Sequence, residues 1–236
     1  MDGILIINKP AGPTSYDIVD RIKKITRTKK VGHAGTLDPF AEGVLIVLIN
    51  NATKLQTKFM DMPKTYIGTL KLGEVSSTYD PEGEKSSPFA NPPASEAGAT
   101  EGQANPNIQT VQDIIKTFIG EIDQVPPIHS AIKVNGVRAY KLAWQGEKPE
   151  LKPRKIKIYD IKILDYEWPH LKIEVDCSRG TYIRSLAHDI GQKLGCGAYL
   201  EALTRTKIGK FSIENSFKVD ELNSQNWTKK LISDNL

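Results

Sequence analysis

The residue best placed to do chemistry is an aspartate, Asp38, in a glycine-rich segment. Residues 32–43 (GHAGTLDPFAEG) contain three glycines, one proline, one histidine and two acids. This density of glycine and proline is typical of a tight, non-repeating loop, and the apolar run after it, residues 44–49, is short enough for a buried strand. A carboxylate on a rigid loop next to a core strand can act as a nucleophile or a general base. An aspartate in such a loop can also be an ordinary turn residue, so the spacing alone leaves both interpretations open.

A second candidate is an arginine, Arg184, at the start of a predicted helix. An apolar stripe at helical spacing lies around it, formed by Ile183, Leu186, Ala187, Ile190 and Leu194. Because Arg184 lies beside this stripe, we expect its side chain to be partly buried. A buried guanidinium needs a carboxylate partner, and the sequence does not say which acid supplies it.

Strands that could position these groups are predicted from hydrophobic patterns. Residues 4–7 (ILII) are typical of a short buried strand, and residues 64–72 alternate in a way that places Tyr66 on an apolar face. Residues 171–177 alternate in the same way. Cys177 shares the apolar face of that strand, so we interpret it as a buried thiol and not as a nucleophile.

Two helix starts are predicted from capping boxes, in which a threonine is followed three residues later by an acid. Thr14 with Asp17 predicts one helix before the candidate loop, and Thr110 with Asp113 predicts another. Each pair would satisfy backbone N–H groups that have no partner in the first turn of a helix.

The composition is that of an ordinary globular protein with a mildly basic charge. Charged residues make up 25% of the 236 residues, and the formal net charge is +4, which permits an RNA partner without requiring one. The two cysteines, Cys177 and Cys196, predict neither a disulfide framework nor a zinc site. No apolar run reaches the length of a membrane span, and the acidic start, Met1-Asp2-Gly3, does not predict a signal peptide. We therefore expect a cytoplasmic protein with no metal and no membrane contact.

Basic residues cluster just before the candidate loop: Arg21, Lys23, Lys24, Arg27, Lys29 and Lys30. They can form a solvated helix face. They can equally form a rim that contacts the phosphates of a nucleic acid.

Several motifs resemble one family. Residues 32–45 (GHAGTLDPFAEGVL) resemble the catalytic motif of the TruB-type tRNA pseudouridine synthases. Other stretches resemble the same family in the same order: 8–12 (NKPAG), 64–66 (KTY), 76–83 (SSTYDPEG), 126–140 (PPIHSAIKVNGVRAY), 177–184 (CSRGTYIR) and 195–205 (GCGAYLEALTR). The resemblance implies an isomerase that converts uridine 55 in the T loop of tRNA to pseudouridine, with no cofactor. It also implies an α+β fold with a mixed, largely antiparallel sheet, flanking helices and a central RNA-binding cleft, and we expect a monomer.

The resemblance assigns catalytic roles to three residues. Asp38 would be the carboxylate at the junction of sugar and base, where it either attacks C1′ or deprotonates C2′. Arg184 would pair with this aspartate and keep it ionised. Tyr66 would stack on the flipped uracil and is a candidate base in the rearrangement.

Four further residues are assigned to substrate binding by the same resemblance. His33 would contact the flipped nucleotide, and Tyr182 would contact the substrate uridine. Leu203 would pack on the uracil, and Asp80 would pair with an active-site arginine. Lys9 is expected to support the catalytic loop by packing, not to take part in chemistry.

The family pattern predicts a catalytic domain over residues 1–210 and a short tail over 211–236. The tail is expected to contain a weak helix near 224–233, and it is too short for the complete PUA-type RNA-binding domain that many relatives carry.

Two segments of the catalytic domain are predicted to be special. Residues 123–153 would form a thumb-like insertion that closes on the RNA, and residues 84–107, rich in proline, serine and alanine, would be a flexible loop. The chain departs from the family pattern at His129, where relatives usually have a tyrosine, and at Thr204, where they usually have an arginine.

Two other functions stay open. The first is a non-catalytic RNA-binding or tRNA-folding module on the same fold, for which Asp38 would be dispensable. The second is an unrelated carboxylate hydrolase, which would need a second acid near Asp38. Glu42 is the nearest in sequence, but the glycines argue against the helical loop that would bring the two carboxylates together.

Overall fold

The computed structural model describes residues 1–87, 105–134, 136–147 and 149–233. Most of the predicted flexible loop, residues 88–104, lies outside the described residues. The chain divides into two compact units, Met1–Ile67 with Leu203–Leu236, and Gly68–Ala202.

Fourteen strands, from two to fourteen residues long, lie in the described residues. They are β1 (Gly3–Lys9), β2 (Val31–Ala34), β3 (Glu42–Ile49), β4 (Lys64–Leu72), β5 (Val75–Ser76), β6 (Lys85–Ser86), β7 (Gly120–Gln124), β8 (Lys133–Val134), β9 (Val137–Arg138), β10 (Arg154–Glu167), β11 (His170–Cys177), β12 (Ala198–Ile208), β13 (Phe211–Ser212) and β14 (Phe217–Lys218). Strands β4 and β12 contribute residues to both units.

The α-helices are shorter and lie between the strands in sequence. They are α1 (Ser15–Thr26), α2 (Gln56–Asp61), α3 (Ile108–Lys116), α4 (Ala139–Trp144) and α5 (Ile183–Lys193). No helix in the described part of the chain is long and apolar enough to span a membrane.

In the first unit, β1 and β3 form the centre of the sheet. They pair antiparallel, with Ile6 opposite Ile46, and β14 and β12 pair parallel with β1 and β3, respectively. Successive residues of β1 pack into different clusters: Ile4 and Ile6 join one, whereas Leu5 and Ile7 join another that includes α1. Since both faces are covered, Ile4–Ile7 of β1 and Val44–Ile49 of β3 are apolar at consecutive positions and not only at alternate ones.

In the second unit, the sheet order is β12, β4, β11, β10 and β7. Strand β10 pairs antiparallel with both β11 and β7. The predicted face of β4 is confirmed, because its alternate residues from Lys64 to Leu72, Tyr66 among them, are buried. Cys177 at the end of β11 is fully buried, as predicted.

The sheet is mixed and largely antiparallel, which confirms the predicted α+β class. Parallel pairing in the described residues occurs between β1 and β14 and between β12 and β3. The predicted RNA-binding cleft stays a prediction.

Of the two predicted capping boxes, the first is confirmed and the second is wrong. The Thr14 hydroxyl accepts a hydrogen bond from the Asp17 N–H (3.1 Å), and the Asp17 carboxylate accepts one from the Thr14 N–H (2.8 Å). Helix α3 begins earlier than predicted, because the side chain of Asn107 caps it by accepting from the Thr110 N–H at 2.9 Å. Asp113 lies inside that helix and not at its N3 position.

The C-terminal segment differs from the predicted tail. Strand β14 pairs with β1, and a second bridge joins Ile232 to Ile4. Val219 and Leu222 are buried in the same cluster as Leu5. The weak helix predicted near 224–233 is present only as a short 3-10 helix, Trp227–Lys230. The segment is ordered because it covers apolar surface of the first unit.

Candidate active site

The loop that carries Asp38 is held on both sides of the aspartate. Ser15, at the start of α1, donates its hydroxyl to the Leu37 carbonyl (3.0 Å) and accepts from the Leu37 N–H (2.9 Å). The Pro39 carbonyl accepts from the Gly12 N–H at 2.8 Å. Asp38 itself is partly exposed, so the backbone on both sides of it is fixed while the residue is not fully buried.

A buried lysine lies beneath this loop. The Lys9 ammonium is fully buried and donates to the carbonyls of Pro10 (2.8 Å), Pro13 (2.8 Å) and Pro39 (3.2 Å). These three acceptors match its three N–H donors. Burial lowers the pKa of Lys9 to about 8, and the charge of Asp38 opposes that shift. The expected support of the loop by Lys9 therefore has a hydrogen-bonding component as well as a packing one.

A buried arginine, Arg205, joins the two ends of the same loop. Its side chain donates to the carbonyls of Val44 (2.8 Å) and Gly35 (3.0 Å), with a longer contact to Thr36 (3.5 Å). Gly43 pairs with Arg205 across β3 and β12. A Cβ atom at residue 43 would lie 2.3 Å from the Arg205 carbonyl oxygen, and its φ is +106°, so only glycine suits the position.

The sequence motifs alone assigned no role to Arg205. A signal was nonetheless present, because Arg205 lies two residues after Leu203 in an extended segment and therefore shares its face. Both residues are buried on β12. A charged residue at an inward position of a strand must find partners, and here they are backbone carbonyls of the Asp38 loop.

His33 lies on β2, five residues before Asp38. Its pKa is lowered by burial and, to a smaller degree, by the charge of Arg205. Its carbonyl accepts from the Gln56 side chain at 2.9 Å, and its Nδ1 is buried with no hydrogen-bond partner in the described part of the chain. The lowered pKa keeps the imidazole neutral near pH 7, and a neutral imidazole lacks the positive charge that favours contact with a phosphate.

Tyr66 on β4 and Leu203 on β12 belong to the same unit as Asp38 and His33. Their side chains are 8% and 7% exposed, respectively. The first unit thus contains four of the seven predicted site residues, and the second contains Asp80, Tyr182 and Arg184.

In the second unit, Arg184 is the centre of a buried polar cluster. It lies in the first turn of α5 and is 5% exposed. Its Nη1 donates to the Asp80 carboxylate (2.8 Å) and to the Thr78 carbonyl (3.2 Å), and its Nη2 donates to the His129 carbonyl (2.9 Å). The structure therefore supplies the carboxylate partner that a buried arginine needs. The predicted pairing of Arg184 with the catalytic aspartate stays a prediction.

Asp80 is itself fixed by its own loop. Its carboxylate accepts from the Thr78 hydroxyl (2.5 Å) and from the Glu82 N–H (3.0 Å), and the Ser76 hydroxyl donates to its carbonyl (2.6 Å). The predicted pairing of Asp80 with an arginine is present; its role in an active site stays a prediction.

The backbone of Tyr182 is held by a residue that the sequence did not indicate. Gln124, at the end of β7, is buried; its Oε1 accepts from the Tyr182 N–H (2.8 Å) and its Nε2 donates to the Tyr182 carbonyl (3.1 Å). Ser185 donates to the Val125 carbonyl at 2.8 Å. The start of α5 is thus attached to the chain segment that enters the predicted thumb.

The predicted thumb contains a short hairpin, β8 with β9, followed by α4. Tyr140 and Trp144 pack edge to face on α4, with ring centroids 5.1 Å apart, and Trp144 is 76% exposed. An exposed aromatic beside basic residues is typical of a surface that contacts nucleic acid, and the role of this lobe in RNA binding stays a prediction.

No group of three or more histidine, cysteine, aspartate or glutamate side chains in the described part of the chain is placed to hold a metal ion.

The hydrolase alternative needs two cooperating acids. Glu42 is exposed at the first position of β3, after a turn, and accepts a hydrogen bond from the Thr204 hydroxyl at 3.2 Å.

Family models match almost the whole chain. The TruB family pseudouridylate synthase N-terminal domain matches residues 23–183, and the tRNA pseudouridylate synthase B C-terminal domain matches residues 184–236. Among curated proteins, tRNA pseudouridine synthase B of Clostridium acetobutylicum is 48% identical over 99% of this chain and 76% of its own length. The protein of the same name from Clostridium tetani is 46% identical over 96% of this chain and 74% of its own length.

Solved structures agree with the fold. A chain in the crystal structure of a Cbf5-Nop10-Gar1 complex is 30% identical, with a TM-score of 0.70 over 98% of this chain. A chain in the structure of an H/ACA RNP bound to a substrate RNA containing 2′-deoxyuridine is 28% identical, with a TM-score of 0.67 over 98% of this chain. The chain spans 57% and 56%, respectively, of the lengths of those two chains.

The sheet architecture and these similarities define a pseudouridine synthase, an enzyme of the isomerase class. The chain belongs to the TruB family of these synthases. The family resemblance of its motifs is thereby confirmed.

Proposed function

We propose that this enzyme isomerises uridine 55 in the T loop of tRNA to pseudouridine, with Asp38 as the carboxylate at the junction of sugar and base. One observation carries the proposal: backbone groups on both sides of Asp38 are fixed by the buried side chains of Lys9, Ser15 and Arg205, while Asp38 itself stays partly exposed. A preorganised carboxylate of this kind is what attack at a sugar carbon requires.

The reaction needs no redox partner, because it rearranges one nucleotide. The bond between C1′ and N1 breaks, the uracil turns, and a bond between C1′ and C5 forms. The hydrogen on C5 leaves as a proton, and N1 gains one. Asp38 either attacks C1′ or removes a proton from C2′, and both routes require the ionised carboxylate.

The remaining residues of the first unit would hold the base. A T-loop uridine must leave its stack to be modified, which costs about a few kcal/mol. We propose that Tyr66 stacks on the extruded uracil, that Leu203 packs on it, and that neutral His33 contacts the nucleotide. The same proposal includes contact of Tyr182 with the uridine and pairing of Arg184 with the catalytic carboxylate. Both of these roles rest on the motif resemblance.

The names of the relatives support tRNA as the substrate, and the basic segment of the first unit supports contact with its backbone. Lys24, Arg27, Lys29 and Lys30 are exposed. In contrast, Arg21 pairs with Asp220 and Lys23 pairs with Asp20. Exposed cations next to the loop can neutralise phosphates.

The test is tritium release from C5-labelled uridine in an unmodified tRNA transcript, since isomerisation must expel that hydrogen. We expect release by the wild type, and a loss of about a thousandfold or more for Asp38→Asn with tRNA affinity retained. The matched control is Glu42→Gln, which removes the neighbouring carboxylate and should keep full activity. A transcript with cytidine at position 55 should release nothing.

The alternatives give different results. Full activity of Asp38→Asn would overturn the assignment of Asp38. The non-catalytic RNA-binding module would be favoured if the wild type bound tRNA but released no tritium. In that case tRNA binding should be lost only when Lys24, Arg27 and Lys29 are replaced by alanine. Loss of activity in Glu42→Gln equal to that in Asp38→Asn would favour a pair of acids, as the hydrolase alternative requires.

A further inference from the structure

Tyr79 adopts a backbone conformation that its side chain does not favour. Its φ is +63°, in the left-handed region that glycine and asparagine adopt most readily. A bulky aromatic residue here has to be held by its surroundings, and such positions occur often where function requires them. A tyrosine at this position therefore indicates that its ring makes a contact that asparagine or glycine could not make.

The ring of Tyr79 stacks on His188. Their centroids are 4.0 Å apart and the ring planes differ by 14°. Burial lowers the pKa of His188, and burial followed by the charge of Asp189 raises the pKa of Tyr79, so both rings are neutral near pH 7. His188 Nδ1 is buried and has no hydrogen-bond partner in the described residues, which leaves the stack as the clearest contact of this imidazole.

The stack lies directly beside the Arg184 cluster. His188 follows Arg184 by one helical turn on α5, so both side chains project from the same face. Tyr79 lies between the two residues of its loop that bind Arg184 Nη1, Thr78 through its carbonyl and Asp80 through its carboxylate. Two side chains of one helix therefore hold three consecutive residues of one loop.

The backbone of the loop depends on the unusual conformation of Tyr79. The Tyr79 N–H donates to the Ser76 carbonyl (3.0 Å), and the Tyr79 carbonyl accepts from the Leu200 N–H (3.0 Å). The first bond closes a tight turn, and the second attaches that turn to β12. With Tyr79 in the left-handed conformation, the carbonyl before it and the carboxylate after it both reach Arg184 Nη1.

We propose that Tyr79 and His188 are positioning residues of this enzyme: their stack holds the turn that keeps Asp80 on Arg184 and so fixes the orientation of the arginine used in the reaction. The role in catalysis rests on the proposed function of Arg184. The role in holding Asp80 on Arg184 does not, because it follows from contacts within one unit.

Conservative substitutions separate the ring from the backbone. Tyr79→Phe keeps the ring, whereas Tyr79→Asn loses it but tolerates a positive φ. His188→Phe keeps a stacking ring at little cost because Nδ1 has no partner to lose, and His188→Ala removes the ring. We expect single-turnover isomerisation rates within about twofold of wild type for both Phe variants, and about tenfold lower for Tyr79→Asn and His188→Ala. Affinity for tRNA should stay within about twofold in all four, because none of these residues is proposed to touch RNA.

A second measurement needs no activity. Urea unfolding of Tyr79→Asn, Asp80→Asn and the double variant gives the coupling between the stack and the ion pair. Clear non-additivity supports the positional role even if the wild type releases no tritium, a result that would count against the proposed function alone. Additive effects, or full isomerisation rates in Tyr79→Asn, would overturn the inference. Equal rate losses in Tyr79→Phe and Tyr79→Asn would also overturn it, since they would assign the effect to the hydroxyl and not to the ring.

Discussion

Each unit buries an arginine beside predicted site residues, but the two guanidinium groups have different kinds of acceptor. Arg205 in the first unit donates to backbone carbonyls, those of Gly35 and Val44 being the closest. Arg184 in the second unit donates to the carboxylate of Asp80 as well as to two carbonyls. Both are almost fully buried.

The difference shows two ways to hold a loop. Backbone carbonyls are present whatever the side chains are, so the acceptors that Arg205 uses in the Asp38 loop do not depend on one particular side chain. The close approach of the Arg205 backbone still requires glycine at residue 43. In contrast, the carboxylate that Arg184 binds belongs to one side chain, Asp80. We propose that its loop is held in place by the stack of Tyr79 on His188. We infer that the Asp38 loop is the more rigid of the two, and that the Arg184 cluster is the more sensitive to single substitutions around it.

The largest effect is expected at Arg205. Arg205→Met would leave buried carbonyls without donors, and we expect a loss of about 4 kcal/mol in the free energy of unfolding, because each such group costs about 1–3 kcal/mol. Urea denaturation measures it. Lys207→Met is the control, since Lys207 is exposed on the same strand and should change stability by less than about 0.5 kcal/mol. Equal stability of the two variants would contradict the role given to Arg205.

An intermediate effect is expected for the ion pair. Asp80→Asn and Arg184→Met each leave a buried group without its charged partner. Because Asp80 keeps its hydrogen bonds from Thr78 and Glu82, each variant should lose about 2–3 kcal/mol of stability. The double variant Arg184→Met/Asp80→Asn should lose less than the sum of the two single changes, because no unpaired charge remains. Strict additivity in a double-mutant cycle would show that the pair is not coupled, and the contrast with Arg205 would then fail.

The smallest effect is a pH dependence at Asp189, which follows His188 on α5. Burial raises the pKa of Asp189 to about 6 from 3.8, against the opposing charge of Lys193. A carboxyl with a raised folded-state pKa holds its proton more tightly in the folded state, so it lowers stability as pH rises from about 4 to 6. We expect Asp189→Asn to be more stable than wild type by about 1 kcal/mol at pH 8, a value reduced for partial solvent exposure.

This gain should disappear below about pH 4, where the carboxyl is protonated in both states. Thermal unfolding at several pH values measures it, with the exposed Asp165→Asn as the control. A gain that does not change with pH would mean that the carboxyl does not titrate as described.

Capping and alternation patterns in the sequence predicted the local structure correctly where only one local structure fitted the pattern. The Thr14 and Asp17 capping box was correct, and so was the buried face of β4. The similar pair Thr110 and Asp113 failed because Asn107, three residues earlier, is an equally good cap. The C-terminal segment was predicted too loosely because its order comes from pairing with β1, which no local pattern contains.

The sequence by itself determined the Asp38 loop, the strands on either side of the motifs and the family to which the chain belongs. It also predicted that Arg184 would be partly buried, because helical periodicity placed it beside an apolar stripe. The motif resemblance predicted that Asp80 pairs with an active-site arginine, and only the tertiary structure decided that this arginine is Arg184, 104 positions away. It also decided that the carbonyl of Gly35 is an acceptor for Arg205, 170 positions away. The physical reason is that periodicity and capping act over a few residues, whereas the partner of a buried charge depends on which distant segments the packed sheet brings together.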